Sequence, residues 1–220
     1  MSAETKEIAI YGAGGFGREV ACLIRKINEA SPDAPPWKII GFFDDGVPAG
    51  TRNPYGEILG GIDALNAFPR PLAVAIAIGN PHALSAVVGK IRNENVSFPN
   101  VFSPDLIFLD RERIEFGRGN IVAFGCLLST NVRIGDFNVF NSCVTVGHDA
   151  EIGSFNSFMP GSRISGSVQI GDRNFFGLNS GIFQGIKIGD DVTLGGNSFA
   201  VTRLRDGKTY VGNPASVFHF

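Results

Sequence analysis

The sequence has few of the features that mark membrane, secreted or nucleic-acid-binding proteins. No apolar run is long enough to span a membrane, and residues 1–7 lack the apolar region of a signal peptide. With 19 Lys and Arg against 21 Asp and Glu, the net charge of −2 offers no basic field to a nucleic acid or an anionic membrane. We therefore expect a cytoplasmic protein without nucleic-acid binding or membrane insertion.

Cysteine and histidine are also scarce. The cysteines are Cys22, Cys126 and Cys143. Their spacing fits no metal site, so the sequence predicts reduced thiols and no bound metal. The histidines are His82, His148 and His219. Because histidine is the commonest general base near neutral pH, these three are the main candidates for such a role.

The chain does contain a strict six-residue repeat. Every sixth residue is apolar along this series: Phe116, Val122, Leu128, Ile134, Phe140, Val146, Ile152, Phe158, Ile164, Ile170, Phe176, Ile182, Ile188, Leu194 and Ala200. This period is neither the 3.6 residues of a helix nor the two of a strand. Three hexads, about 18 residues, would form one triangular coil, with parallel strands stacked about 4.8 Å apart. The repeat predicts a β-solenoid without fixing its handedness. A solenoid that only binds or scaffolds is the alternative.

A small α/β unit is predicted before the solenoid. An apolar run at residues 8–11 leads into a glycine-rich turn and then an apolar helical pattern. The glycines of this turn are Gly12, Gly14, Gly15 and Gly17. Glycine lets a backbone approach a phosphate closely, and a helix start offers free N–H groups. We expect these four residues to bind a nucleotide.

Two further strand ends carry candidate binding residues. The second predicted strand ends in Asp44 and Asp45. An acidic residue there can accept a hydrogen bond from a ribose hydroxyl. An ordinary Asp-Asp-Gly turn is the alternative. A fully apolar strand later in the unit ends in Gly79 and Asn80, which form a third candidate site.

These patterns divide the chain into four predicted parts. Residues 1–102 form a Rossmann-like domain of three or four parallel strands, large enough for one nucleotide, and residues 103–115 form a linker. Residues 116–206 form the β-helix, and residues 207–220 form a segment that caps its open end.

His148 is the one histidine within the repeat, at a corner where side chains leave the coil. The residue 18 positions further on, directly above it, is Gly166. A glycine over a histidine predicts an open notch with an exposed backbone N–H. A general base and a carbonyl-polarising donor need this arrangement around a thioester. A solvated surface histidine is the alternative, and Cys143, five residues earlier, is an alternative nucleophile.

Five motifs occur in an order that resembles a known family. They cover residues 10–18, 41–45, 78–80, 147–153 and 211–215. The chain is similar to bacterial nucleotide-sugar acetyltransferases, which join a small α/β domain to a left-handed parallel β-helix. This family includes the N-acetyltransferases of UDP-linked bacillosamine precursors and of GDP-perosamine, and the related sialic acid O-acetyltransferases.

The resemblance implies roles for individual residues. The implied catalytic residues are His148 as base, Asp149 as its acidic neighbour, Gly166 as backbone donor to the thioester carbonyl, and Asn141. The implied coenzyme-binding residues are Ser157, Gly166, Gly195, Gly196 and Pro214. The implied substrate-binding residues are Gly12, Gly14, Gly15, Gly17, Asp44, Asp45, Gly79 and Asn80.

The function implied by this resemblance is acetyl transfer from acetyl-CoA to the amine of a UDP-, GDP- or dTDP-linked 4-amino-4,6-dideoxy sugar, in cell-surface polysaccharide biosynthesis. O-acetylation of a sugar hydroxyl and non-catalytic binding of a nucleotide sugar are the alternatives. A homotrimer is also expected, because several phenylalanines fall outside the inward phase of the repeat, and the resemblance implies that its active sites lie between subunits. These are Phe137, Phe155, Phe175, Phe183 and Phe199.

Overall fold

The computed structural model describes residues 5–218, which divide into two compact units. One unit contains the described residues up to Gly79 together with residues 83–104. The other contains residues 80–82 and the described residues from Asp105 onward. The first unit is an α/β fold and the second is a parallel β-solenoid, so the predicted fold class is confirmed.

The described part of the chain up to residue 104 contains seven strands and three helices. In chain order the elements are β1 (Lys6–Tyr11), α1 (Gly15–Glu29), β2 (Trp37–Phe43), β3 (Arg52–Asn53), β4 (Gly56–Gly60), α2 (Ile62–Asn66), β5 (Leu72–Ile76), α3 (Pro81–Val88), β6 (Val96–Ser97) and β7 (Val101–Phe102). Its sheet has the strand order β3-β4-β2-β1-β5-β6, in which only β3 runs antiparallel to its neighbour. The sequence predicts the parallel strands but not the β3–β4 hairpin.

The central strands of this sheet are apolar because both of their faces are buried. The β5 residues from Leu72 to Ile76 are all buried, as are the last four residues of β1. Helix α1 presents Val20 and Ile24 to the interior, one turn apart on the same helix face. Since β1, β2 and β5 are parallel, their carboxyl ends lie at one edge of the sheet, where the predicted binding residues follow them.

The solenoid contains three sheets of short strands. The first solenoid sheet contains β10 (Ile121–Val122), β13 (Val139–Phe140), β16 (Ser157–Phe158), β19 (Phe175–Phe176), β22 (Thr193–Leu194), β24 (Thr209–Val211) and β25 (Ser216–Val217). The second contains β8 (Ile107–Phe108), β11 (Leu127–Leu128), β14 (Thr145–Val146), β17 (Arg163–Ile164), β20 (Gly181–Ile182) and β23 (Phe199–Ala200). The third contains β9 (Ile114–Phe116), β12 (Val132–Ile134), β15 (Glu151–Ile152), β18 (Gln169–Ile170) and β21 (Lys187–Ile188).

The six-residue repeat packs the interior of the solenoid as predicted. Paired residues in adjacent coils are 18 positions apart, as between Phe140 and Phe158. These two rings stack at 4.8 Å, and Phe158 stacks on Phe176 at 4.7 Å. Removing such a ring from water is worth about 1.5–3 kcal/mol. Each coil therefore depends on its neighbours for its core.

A buried column of asparagines also joins the coils. The column consists of Asn120, Asn138, Asn156 and Asn174. Each amide oxygen accepts a hydrogen bond from the backbone N–H one coil further on, and the last of these bonds comes from Val192. Asn174 Nδ2, in the last asparagine of the column, has no hydrogen-bond partner. The spacing of these residues is visible in the sequence, but only the stacked coils show that their side chains hydrogen-bond from one coil to the next.

The solenoid begins earlier than the sequence predicts. Strand β8 lies within the predicted linker, residues 103–115, and β9 begins there; they pair with β11 and β12, respectively. Phe108 pairs with Leu128, which is 20 positions later instead of 18. A short 3₁₀ helix at Arg111–Arg113 takes up the two additional residues. This insertion shifts the phase of the first coil and hides it from a six-residue search.

The segment after the repeat extends the first solenoid sheet. β24 pairs in parallel with β22, and β25 pairs antiparallel with β24. The segment 207–218 therefore ends the sheet with an antiparallel strand instead of continuing the coils. Residues 219 and 220 lie outside the described residues.

The phenylalanines outside the inward phase differ in their burial. Of the phenylalanines outside the inward phase, Phe137 is only 2% exposed and stacks on Phe155, which corrects the expectation that it is a surface residue. Phe183, by contrast, is 56% exposed. Within residues 5–218, no helix has the length and hydrophobicity needed to cross a membrane.

Candidate active site

His148 lies at the corner between β14 and β15 in the solenoid, where side chains point outward. The next residue, Asp149, has a φ of 56°, a left-handed conformation that turns its carboxylate back toward the imidazole. His148 Nδ1 and Asp149 Oδ2 are 2.7 Å apart, and both side chains are 50% exposed. The two residues therefore form a hydrogen-bonded pair that is accessible to solvent.

Asp149 has a second hydrogen-bond partner, which favours its ionised form and so determines where the proton of His148 lies. Asn131, one coil earlier, donates its Nδ2–H to Asp149 Oδ1 over 2.6 Å. The hydrogen bond from Asn131, and then that with His148, hold the pKa of Asp149 below its usual range. An ionised carboxylate only accepts hydrogen bonds, so the neutral His148 imidazole is assigned its proton on Nδ1. Nε2 then keeps a lone pair that can accept a proton.

The imidazole of His148 lies against Gly166. A β-carbon at Gly166 would stand 2.5 Å from His148 Nε2 and 2.6 Å from Cε1, closer than any real contact. Only glycine at this position therefore permits the observed ring placement. Gly166 is buried, which corrects the expectation of an open notch above the histidine, because the ring occupies that space.

The backbone N–H of Gly166 forms no hydrogen bond with the described residues, while Gly147 and Ser167 on the same corners pair with neighbouring coils. The third residue of the hexad has an unbonded N–H in other coils of this corner as well, including His148 itself. The free donor is thus a property of the corner. What distinguishes Gly166 is that the imidazole of His148 packs against its Cα, where a β-carbon would otherwise stand.

Other predicted residues of the solenoid lie apart from this pair. Asn141 and Cys143 lie on the corner before β14, whereas His148 lies on the corner after it. The amide oxygen of Asn141 accepts the N–H of Ser142. Ser157 has no exposed surface, so its side chain is not available to a coenzyme, contrary to expectation. Its outward position in the hexad gave no sign of this burial.

The remaining predicted coenzyme residues lie near the end of the solenoid. Gly195 donates its N–H to Tyr210 O, and a β-carbon on it would stand 2.9 Å from Val211 Cγ1. Gly196 and Pro214 are exposed. Gly196 and Pro214 are therefore accessible to a coenzyme, whereas the close packing of β24 explains why residue 195 is a glycine.

The glycine turn of the first unit contains two kinds of glycine. Gly12 has a φ of 104°, and a β-carbon there would stand 2.7 Å from Ala77 O. A β-carbon on Gly17 would collide with Gly12 O. Gly14 and Gly15, in contrast, have no atom within 4 Å of the β-carbon position, so open space faces them. Packing explains the first pair, and the second pair leaves room for a ligand.

Asp44 and Asp45 both accept hydrogen bonds from their own unit. Asp44 Oδ2 accepts the N–H of Ala13 in the glycine turn at 2.7 Å. Asp45 accepts the N–H of Ile62 at the start of α2 and the hydroxyl of Tyr11, each at 2.7 Å. The hydrogen bond from Ile62, and then that from Tyr11, lower the pKa of Asp45. The pKa of Tyr11 is raised, first by burial and then by the contact with Asp45. Both aspartates thus shape the edge of the sheet.

The third strand end is open. Gly79 has no atom within 4 Å of its β-carbon position, and Asn80 is exposed immediately before α3. Gly14, Gly15 and Gly79 all follow parallel strands at the carboxyl edge, the usual place for ligands in open α/β sheets.

No group of three or more His, Cys, Asp or Glu side chains within residues 5–218 is placed to hold a metal ion. A shallow groove of about 740 Å³ runs along the outer face of the third solenoid sheet. Outward side chains that line it include Glu115, Arg133, Glu151, Gln169 and Lys187. His148 does not line this groove.

Comparisons with known proteins agree with this architecture. Residues 7–91 match the PglD N-terminal domain, and residues 167–200 match the hexapeptide repeat of succinyl-transferase. No curated protein matches the chain in the sequence comparison.

Solved structures match along nearly the whole chain. WeeI from Acinetobacter baumannii AYE is 30% identical, with a TM-score of 0.86 over 97% of this chain and 100% of that chain. The acetyltransferase domain of PglB from Neisseria gonorrhoeae FA1090, in complex with acetyl coenzyme A, is 25% identical with a TM-score of 0.85, over 98% and 100%. PerB from Caulobacter crescentus, in complex with CoA and GDP-perosamine, is 23% identical with a TM-score of 0.86, over 98% and 99%.

An α/β unit followed by a hexapeptide-repeat solenoid defines a class of two-part acyltransferases. Within that class, the chain belongs to the family of nucleotide-sugar acetyltransferases. The left-handed course of its solenoid follows from this membership.

Proposed function

We propose that the protein transfers the acetyl group of acetyl-CoA to the amine of a nucleotide-linked 4-amino-4,6-dideoxy sugar. The ligands of similar proteins support this choice. The PglB domain binds acetyl coenzyme A, PerB binds CoA and GDP-perosamine, and the N-acyltransferase AntD from Bacillus cereus binds dTDP-4-amino-4,6-dideoxyglucose. A cytoplasmic location and a role in cell-surface polysaccharide biosynthesis remain predictions.

His148 Nε2 is the proposed general base. Asp149 occupies Nδ1, so the proton acceptor is the other ring nitrogen, which faces Gly166. The ionised carboxylate also stabilises the imidazolium that forms once Nε2 has taken a proton. This hydrogen-bonded pair, packed against Gly166, whose backbone N–H is unbonded, is the observation that carries the proposal.

The proposed reaction is a direct transfer. The sugar nitrogen forms a bond to the acetyl carbonyl carbon, and the bond from that carbon to the CoA sulfur breaks. The proton lost by the nitrogen passes to His148 Nε2 and from there to the departing thiolate. An unprotonated amine is already a good nucleophile, so no acyl-enzyme is needed. The position of Cys143, on the opposite end of β14 from His148, supports this simpler route.

The backbone N–H of Gly166 is the proposed donor to the carbonyl oxygen as negative charge develops on it. An oriented N–H of this kind is typically worth a factor of about 10²–10³ in kcat. Asn141 is assigned no step, because it lies on the other corner of its coil. Gly196 and Pro214 remain proposed coenzyme contacts.

The first unit is proposed to bind the nucleotide. The open space beside Gly14, Gly15 and Gly79 supports a phosphate or ribose at the carboxyl edge of the sheet. Asp44 shapes this edge through its bond to Ala13, and it keeps lone pairs for a ribose hydroxyl.

A panel of UDP-, GDP- and dTDP-linked 4-amino sugars, incubated with acetyl-CoA and followed by free-thiol release, tests the function. We expect one nucleotide class to release thiol and to yield a sugar heavier by one acetyl group. Mild base distinguishes the products, since it cleaves esters and spares amides. A base-labile product would replace N-acetylation by O-acetylation, and binding of a nucleotide sugar without thiol release would leave only a binding protein.

A further inference from the structure

Asn131 is a polar contact of the candidate site that the hexad pattern does not single out. It occupies the same corner as Asp149, one coil earlier, and pairing of β12 with β15 aligns the two residues. Their φ angles, 55° and 56°, are nearly equal. The amide of Asn131 therefore points at the carboxylate one coil away and reaches it at 2.6 Å.

This bond restrains a side chain that has little else to hold it. Asp149 is half exposed, and an exposed carboxylate is free to rotate about its side-chain bonds. With Asn131 on Oδ1 and His148 on Oδ2, each oxygen has its own partner and the carboxylate plane is fixed. A fixed carboxylate in turn fixes both the orientation and the tautomer of the imidazole.

We propose that Asn131 is a positioning residue: its amide holds Asp149 in the orientation that keeps the proton of His148 on Nδ1. This inference rests on the proposed role of His148 as general base. Asn131 does not touch the imidazole, so it acts through Asp149.

The corner itself does not require asparagine. Left-handed backbone favours Asn over most residues, which would by itself explain Asn131. However, Phe137, Cys143 and Arg173 adopt the same conformation at other corners of the solenoid. The backbone thus tolerates many residue types there, and the donor group is what suits Asn131 to its position.

Two substitutions separate the donor from the backbone preference. Asn131→Asp keeps the size and the left-handed preference but replaces the donor with a second carboxylate beside Asp149. Asn131→Ala removes the side chain. Asn179→Ala is the matched control, since Asn179 is exposed, has a φ of 53° and lies on a different corner from His148.

The first readout is the tautomer of His148, measured by long-range ¹H–¹⁵N NMR of the full chain and assigned by the loss of signals in His148→Ala. We expect the Nδ1–H form in the wild type and in Asn179→Ala, and a mixture of tautomers in both Asn131 variants. A wild-type pattern in the Asn131 variants would overturn the proposal, whether or not the enzyme is active.

The second readout is kinetic. We expect kcat to fall by about 10- to 100-fold in both Asn131 variants, with the KM for each substrate within about twofold of wild type. Asn179→Ala should keep the wild-type kcat. An equal loss in Asn179→Ala, or an unchanged kcat in Asn131→Asp, would contradict a positioning role. If the wild type releases no thiol with any acceptor, the proposed function fails, while the NMR result still decides the orientation of the histidine.

Discussion

At the scale of single residues, the candidate site depends on what is missing at Gly166. The imidazole of His148 occupies the volume that a β-carbon would need, 2.5 Å from Nε2. Gly166 has no left-handed backbone, and Thr130, His148 and Gln184 hold its position in other coils, so the glycine serves the ring and not the turn. A substitution at Gly166 therefore tests the placement of the ring while the histidine itself stays unchanged.

We expect Gly166→Ala to lower kcat by at least about 100-fold, because the methyl group displaces the ring from its position against Gly166. Steady-state thiol release measures the effect, and circular dichroism checks that the solenoid remains folded. Ser165→Ala, one residue earlier on the same corner, is the control and should keep the wild-type rate. A Gly166→Ala enzyme with more than half of the wild-type kcat would contradict this account of the ring.

Asp45 predicts a pH-dependent stability of the α/β unit. Its pKa is lowered by the N–H of Ile62 and then by the hydroxyl of Tyr11. A lowered folded-state pKa stabilises the fold above the pKa of the unfolded chain, and this contribution is lost as the pH falls through the folded value. We expect Asp45→Asn to lower the Tm at pH 7 and to lower it less near pH 3. Thermal unfolding at both pH values measures this, and an equal shift at the two would refute it.

At the scale of elements, the glycine turn after β1 is held by a residue from another strand. Asp44, which follows β2, accepts the N–H of Ala13 at 2.7 Å. The shape of the turn around Gly14 and Gly15 therefore depends on a carboxylate that is distant in sequence. Asp44 contributes to the site even without touching a ligand.

Removing this carboxylate should affect one substrate only. We expect Asp44→Ala to raise the KM for the nucleotide sugar by about tenfold, because the turn loses its support, and to leave the KM for acetyl-CoA within about twofold. Initial rates with each substrate varied in turn give both constants. Unchanged KM values would mean that the nucleotide binds elsewhere.

The sequence could predict the repeating elements but not every contact between them. The six-residue series predicts the inward column from Phe116 to Ala200, because each coil buries the same position. It missed the first coil, since the insertion at Arg111–Arg113 breaks the period. The resemblance also gave Ser157 a coenzyme contact, and the hexad could not correct this because it marks outward positions without telling which of them are covered.

The candidate site was partly predictable for a similar reason. Stacking at 18 residues already placed Gly166 over His148. The same rule places Asn131 beside Asp149, but only the conformation of the corner shows that the amide reaches the carboxylate. In the first unit, the glycines of the turn look alike in sequence, while packing separates Gly12 and Gly17 from Gly14 and Gly15.

At the scale of the whole molecule, the solenoid exposes apolar side chains around its second sheet. Three of them immediately follow inward residues of that sheet: Leu109, Phe183 and Val201, exposed by 64%, 56% and 41%. Phe124 and Leu178, exposed by 53% and 50%, share one column on the corner before that sheet. Clustered apolar surface of this kind is typical of an interface, and a closed ring of identical contacts would bury it in every copy.

We predict a homotrimer that uses this surface. Sedimentation equilibrium at micromolar concentration should give three times the chain mass of 23.4 kDa. Phe183→Glu should shift the mass toward the monomer, because it places a charge within the contact, while Phe155→Ala, on another corner, should leave the trimer intact. A wild-type mass of 23.4 kDa would contradict the trimer.

The central claim is that His148, oriented by Asp149, is the base of an acetyl transfer. The most direct test is the kcat of His148→Ala with acetyl-CoA and the acceptor that the substrate panel identifies. We predict a loss of at least about 100-fold, as expected for general-base catalysis. The Tm should change little, because a half-exposed corner side chain buries little area. A His148→Ala enzyme that folds normally and retains more than about a tenth of the wild-type kcat would contradict the claim.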